Sequence, residues 1–201
     1  MTPRRVAQLV VGCAVLGVGV SLLLAPSLGS DGYSTLVNGV ALATGWPFMV
    51  ANLLVSAAFV LLAWVRGLRP GLGTVVQVVV VGLVVQVTLP LMDPTSLGAR
   101  STMLVIAFPV LSIGIALYLD SHLGAGPAEA PALAWDPPVP FIWSYSLVQG
   151  GGALVGWQLG AAIGPGTIAV ILLLGPTVGL VGRLLRLDLE QTQATRHPMV
   201  E

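Results

Sequence analysis

The sequence predicts an all-α polytopic membrane protein: six transmembrane helices arranged as two inverted three-helix repeats, each with a broken or re-entrant short helix. Three observations lead there. Apolar residues make up 56% of the 201-residue chain and charged residues only 8%, with a mean hydropathy of +0.96. A water-soluble domain carries about 25% charge, and eight basic plus eight acidic side chains cannot cover its surface. Charge-free stretches near the ~20 residues that cross a bilayer core recur along the chain. Finally, a glycine-rich break, "LGSDGY" at 28–33, returns 95 positions later as "LGAGPA" at 123–128.

The expected spans run from Val6 to Ala25, Pro47 to Val65, Leu72 to Pro90, Ser101 to Leu119, Phe141 to Gly160 and Gly166 to Gly182. Arg4 and Arg5 precede the first as they would a signal peptide, but this run outlasts the usual signal core and reads as a retained helix. Trp46, Trp64, Trp143 and Trp157 fall near proposed ends, where indole favours the membrane interface. Cys13 is the only cysteine, so no disulfide, CxxC pair or metal cluster is available, and it reads as a small apolar helix residue.

Basic residues near span ends resist translocation. A cytoplasmic N-terminus puts Arg4, Arg5, Arg66, Arg69, Arg183, Arg186 and Arg196 inside and leaves only Arg100 outside. Both termini are therefore expected in the cytoplasm of a bacterial inner membrane, with residues 187–201 as a polar tail. The lipid bilayer is the expected partner, with a small-molecule solute and a homodimer as further candidates. Net charge near zero speaks against nucleic acid.

Residues 1–95 and 96–186 read as the two repeats. "GVSLLL" at 19–24 matches "GIALYL" at 114–119 at the shift of 95. After a two-residue slip the match resumes at 93: Pro47-Phe48 with Pro140-Phe141, Gly67 with Gly160, Gly71 with Gly164, Gly73-Thr74 with Gly166-Thr167, and Gly82 with Gly175. Each half is span, break, short segment, span, tight turn, span. Three spans is an odd number, so the halves cross in opposite senses, as in many transporters.

Within the first short segment, Tyr33 to Thr44 is too short to cross. Ser30 and Asp31 suit a helix N-cap, Gly29 and Gly32 permit a sharp reversal, and Gly45 suits the C-cap. This helix is expected to re-enter the membrane or to lie flat at its outer face. Its counterpart, Gly126 to Trp135, contains the interrupting Pro131 and belongs at the cytoplasmic face. Gly29, Ser30, Asp31 and Gly32 form the expected outer gate or hinge, and Gly124 and Gly126 the inner one. For Asp31, capping ranks ahead of ligand or cation binding.

Polar groups inside spans point to cavities or helix contacts. Asn52 with Ser56, and Tyr145 with Gln149, each share a helical face and are equivalent under the shift of 93. They are read either as a substrate site on a pseudo-twofold axis or as interhelical hydrogen bonds. Gln77 and Gln86, nine residues apart, point to opposite faces. Gly150 to Gly152 suits close helix approach or a thin-walled cavity. His122, beside the second break, is a proton-sensitive candidate or a solvated surface residue. The absence of any mid-span carboxylate speaks against an ion-driven pump. No HExxH, GxSxG, DxxD or P-loop pattern appears, so no enzyme, cofactor or metal is expected.

The combination "LLLAPSLGSDGYSTLVNGVALATG" and "GLRPGLGTVVQ" followed by "LYLDSHLGAGP" resembles the YczE-like family of bacterial membrane proteins, itself distantly similar to the YitT-like group. The resemblance covers most of residues 10–186 and includes the "GxGT" turns, Gly71 to Thr74 and Gly164 to Thr167. Gly32-Tyr33 stand where relatives often have Pro-Trp. The resemblance implies the fold and carries no activity. The function expected from topology is a transporter or permease for a small neutral or weakly charged solute. The alternative is a non-transporting accessory protein supporting export or biosynthesis of a secreted metabolite.

Overall fold

The computed structural model describes residues 2–136 and 138–187. Most of the expected cytoplasmic tail, Arg196 included, lies outside them. The regular elements among them are all helical: α1 Pro3–Leu24, α2 Gly32–Thr44, α3 Phe48–Val65, α4 Leu72–Thr88 with a 3-10 turn Leu89–Leu91, α5 Leu97–Asp120, α6 Ala130–Ala134, α7 Phe141–Gln158 and α8 Pro165–Leu185. Five are long and apolar enough to cross a membrane: α1, α3, α4 with its turn, α5 and α8. This marks the chain as a membrane protein. The sixth expected span, α7, matches α3 in length at 18 residues. Ser144, Tyr145, Ser146, Gln149, Gln158 and three consecutive glycines dilute its apolar character, so it does not meet the same criterion.

Two helices start earlier than expected. Pro3, pre-set for a first turn, carries α1 through Arg4 and Arg5. Ser96 caps α5 by accepting the Ala99 N–H at 3.1 Å, which places Arg100 within the helix.

At the centre α1 and α5 run antiparallel. Gln8 donates to Leu117 O, Gly12 lies against Gly114 and Tyr118, and Gly19 lies against Leu111. Glycine at these crossings lets the backbones approach without a transferable hydrophobic force, as helix association in lipid requires. The helix α4 flanks α1, and α8 flanks α5. The Ser21 and Thr88 hydroxyls bond at 2.7 Å across the first pair, and Ser112 donates to Thr177 at 2.8 Å across the second. The short helix α2 packs on α7 and α3, while α6 packs on α3 and α7. Arg66 stacks over Trp135, 4.8 Å from the ring centroid, linking the ends of α3 and α6.

The backbone repeats its special conformations at the sequence shifts. Ser27 and His122 both take φ of 53°, Gly29 and Gly124 take 99° and 122°, and Gly67 and Gly160 take 86° and 99°. The left-handed region is costly for Ser and His, so its recurrence at matched positions reflects a shared turn geometry.

Candidate functional site

Each break docks on the turn of the other half. Gly166 donates its N–H to Leu28 O at 2.8 Å, and Gly73 donates to Leu123 O at the same distance. The threonines close the turns alike: Thr74 Oγ1 accepts from Gly71 N at 3.2 Å, and Thr167 Oγ1 from Gly164 N at 3.4 Å. Thr74 also donates to Ala125 O at 2.7 Å. Side chains are excluded from these contacts. A Cβ on Gly29 would strike Thr167 and Gly164, and one on Gly71 would meet Leu123 O at 2.9 Å.

Between the docked breaks, α2 starts beside the middle of α3 and α7. Asp31 caps it by accepting the Ser34 N–H at 3.0 Å. Gln149 Oε1 accepts the Tyr33 N–H at 2.9 Å. Both take amides that a helix N-terminus leaves free, so the start of α2 is already satisfied from within the protein. Burial pushes the Asp31 carboxyl above its ordinary value, an effect opposed by its hydrogen bonds to Ser34.

Tyr33 is the hub, a role the sequence reading missed. Its hydroxyl donates to Asn52 Oδ1 at 2.9 Å and shares a 2.6 Å hydrogen bond with Ser56. Asn52 donates in turn to Val78 O at 2.9 Å, and Gln149 donates to the Tyr145 hydroxyl at 2.7 Å. The four sequence-predicted residues are thus brought into one network through α2. Tyr33 also meets Phe59 edge-on at 5.5 Å, and Tyr145 stacks on Phe141 at 5.4 Å. Tyr33 stands at the second position of a capped helix directly after the break, the one signal that could have drawn attention to it.

Gly126, expected at an inner hinge, faces a second cluster. A Cβ there would fall onto Gln77 Oε1 and Glu129 Oε2. Tyr118 Oη, from α5, lies beside the Glu129 carboxyl. All three oxygens are buried, and no cationic group is paired with them among the described residues. Burial, with a smaller contribution from the charge of Asp31, pushes the Glu129 carboxyl up to about 7. This corrects the sequence argument against interior carboxylates: the spans hold none in their middle, yet the connections carry Asp31 and Glu129 inward. Sequence spacing alone gave no reason to join Gln77, Tyr118 and Glu129.

The remaining candidates lie elsewhere. His122 is exposed on the turn after α5, and Asp120 bonds to Gln8. Arg100 donates to Pro26 O at 2.6 Å, tying the start of α5 to the first break. Gln86 accepts the Met49 N–H at 3.2 Å, away from Gln77 as expected. A mostly apolar cleft of ≈ 360 Å³ opens among Asn38, Leu42, Trp46, Phe48 and Gln86, separate from both polar clusters. No group of three His, Cys, Asp or Glu suited to a metal occurs among the described residues.

A family of unknown function, DUF6198, matches residues 3–183. An uncharacterised protein of Haemophilus influenzae is 30% identical over 180 residues, covering 87% of this chain and 82% of its own. No solved structure matches the chain.

Proposed function

The chain belongs to the DUF6198 family of unknown function, and on that premise we propose that it is a transporter or permease for a small neutral or weakly charged solute. It works by alternating access between two inverted three-helix repeats. The YczE-like resemblance belongs to the same reading. Six helices cross a bacterial inner membrane, α7 among them, with the N-terminus and residues 187–201 in the cytoplasm. The observation that carries this is the reciprocal docking of each break on the other half's "GxGT" turn, with antiparallel α1 and α5 between them. Such exchange lets one half rock against the other around a fixed polar centre, the usual construction of inverted-repeat transporters. Asn52, Ser56, Tyr145 and Gln149 contact the solute when the halves part and Tyr33 releases them.

A second reading, the non-transporting accessory protein, draws support from the closed network around Tyr33 and the open apolar cleft at α2 to α4. A thermal-shift screen of purified protein against metabolites separates the two. A solute that raises the unfolding midpoint, with the effect lost in Asn52→Ala and Gln149→Ala, supports transport. A stabilising effect that survives both substitutions contradicts the site.

A further inference from the structure

We propose that Gln77 Oε1, Tyr118 Oη and Glu129 Oε2 form a binding site for a small monovalent cation, either an alkali-metal ion or a protonated amine. The three groups come from α4, α5 and the connection entering α6, so folding, not local sequence, brings them together. Tyr118 is 1% exposed and Gln77 9%, and the buried Glu129 carboxylate has the neutral Tyr118 hydroxyl beside it and no cationic group paired with it among the described residues. A buried carboxylate served only by neutral groups keeps an uncompensated charge at a high desolvation cost, so its convergence with two further oxygens from separate segments points to a missing positive partner. The absence of a side chain at Gly126 makes the convergence possible, because a Cβ there would fall onto both Gln77 Oε1 and Glu129 Oε2.

The chemistry selects the class of ligand. All three donors are oxygens, which suits hard cations and poorly suits thiophilic ones. One carboxylate with two neutral oxygens balances a single positive charge. Turning the Gln77 amide over would give the carboxylate a neutral donor but leave its charge uncompensated. The titratable groups that share this interior are Asp31, Tyr33, Tyr118 and Tyr145. Asp31 is another carboxylate, and its charge adds to the negative potential. As the coupling ion of the proposed transport this site deepens that reading, but binding is measured here without flux and without the solute, so either can fail alone.

The test is the thermal midpoint of the purified full chain in detergent, titrated with sodium chloride, methylammonium chloride or choline chloride at constant ionic strength. It is run at about pH 8, above the titration of Glu129 near 7. Because the folded carboxyl binds its proton more tightly than the unfolded one, stability falls as pH rises through this range. A bound cation then restores it. The expected result is a saturable rise with sodium or methylammonium and none with choline, and the responding salt identifies the source. Glu129→Gln abolishes the response, and Gln77→Leu weakens the apparent affinity about tenfold or more. Gly150→Ala, where an added Cβ meets nothing, retains it. Equal responses to all three salts overturn the proposal. So does a midpoint that rises on acidification yet ignores every cation at high pH, since that site takes a proton only. The wild-type titration decides the matter even where Glu129→Gln does not fold.

Discussion

Tyr33 joins the two halves of the candidate site with one side chain: its backbone amide holds Gln149 of α7, and its hydroxyl holds Asn52 and Ser56 of α3. Removing the hydroxyl strands two buried polar groups, whereas removing that of Tyr145 deletes only the bond from Gln149. Tyr33→Phe is therefore expected to destabilise by about 1–2 kcal/mol and Tyr145→Phe by less than about 1 kcal/mol. Reversible unfolding in mixed detergent micelles measures both. Equal losses, or the reverse order, would contradict the hub. The sequence made Asn52, Ser56, Tyr145 and Gln149 legible because polar residues within apolar spans stand out and a spacing of four puts them on one face. It did not make Tyr33 or Glu129 legible. Each sits in a connection, where polar residues are ordinary, and only the tertiary path of the chain turns them inward.

The crossing of α2 and α7 decides how deep the short helix sits. Gly32 lies against the backbone of Gln149, Gly39 against that of Gly156, and Gly152 against Gly32 O. The two helices thus run parallel in direct backbone contact, with α2 beginning at the middle of its neighbour. A methyl group at position 32 would overlap the Gln149 carbonyl, so Gly32→Ala is expected to cost about 1–3 kcal/mol through overpacking. At Gly150 and Gly151 an added Cβ meets nothing. Gly150→Ala should be neutral or slightly stabilising, because alanine is the better helix former by about 1 kcal/mol. Denaturation midpoints of the two variants test this contrast, and a loss at position 150 as large as at 32 would refute the crossing. The caps and breaks could be read from the sequence, since Asp31 and Gly45 follow local backbone chemistry. The packing of α2 on α7 could not, because a 13-residue segment too short to cross fits an interface and a re-entrant path equally well. The polar and glycine content that fits α7 to this crossing also lowers its apolarity, which is why it differs from the five plainly apolar helices.

Across the whole molecule, large apolar side chains remain exposed along α3 and α8, among them Leu54, Leu61, Ile168, Ile171 and Leu172. Water would penalise such faces and hydrocarbon accepts them. The repeated turn dihedrals, the paired "GxGT" caps and the antiparallel α1 and α5 fit two halves of opposite orientation. Impermeant maleimide labelling of single cysteines tests that orientation. The native Cys13 is fully buried and can be replaced by alanine. On this background Trp46→Cys reports the junction of α2 and α3, and Val139→Cys the junction of α6 and α7, both at exposed positions. In intact cells the reagent should label Trp46→Cys and reach Val139→Cys only after permeabilisation. Labelling of both from the outside, or of neither, would contradict the inverted arrangement.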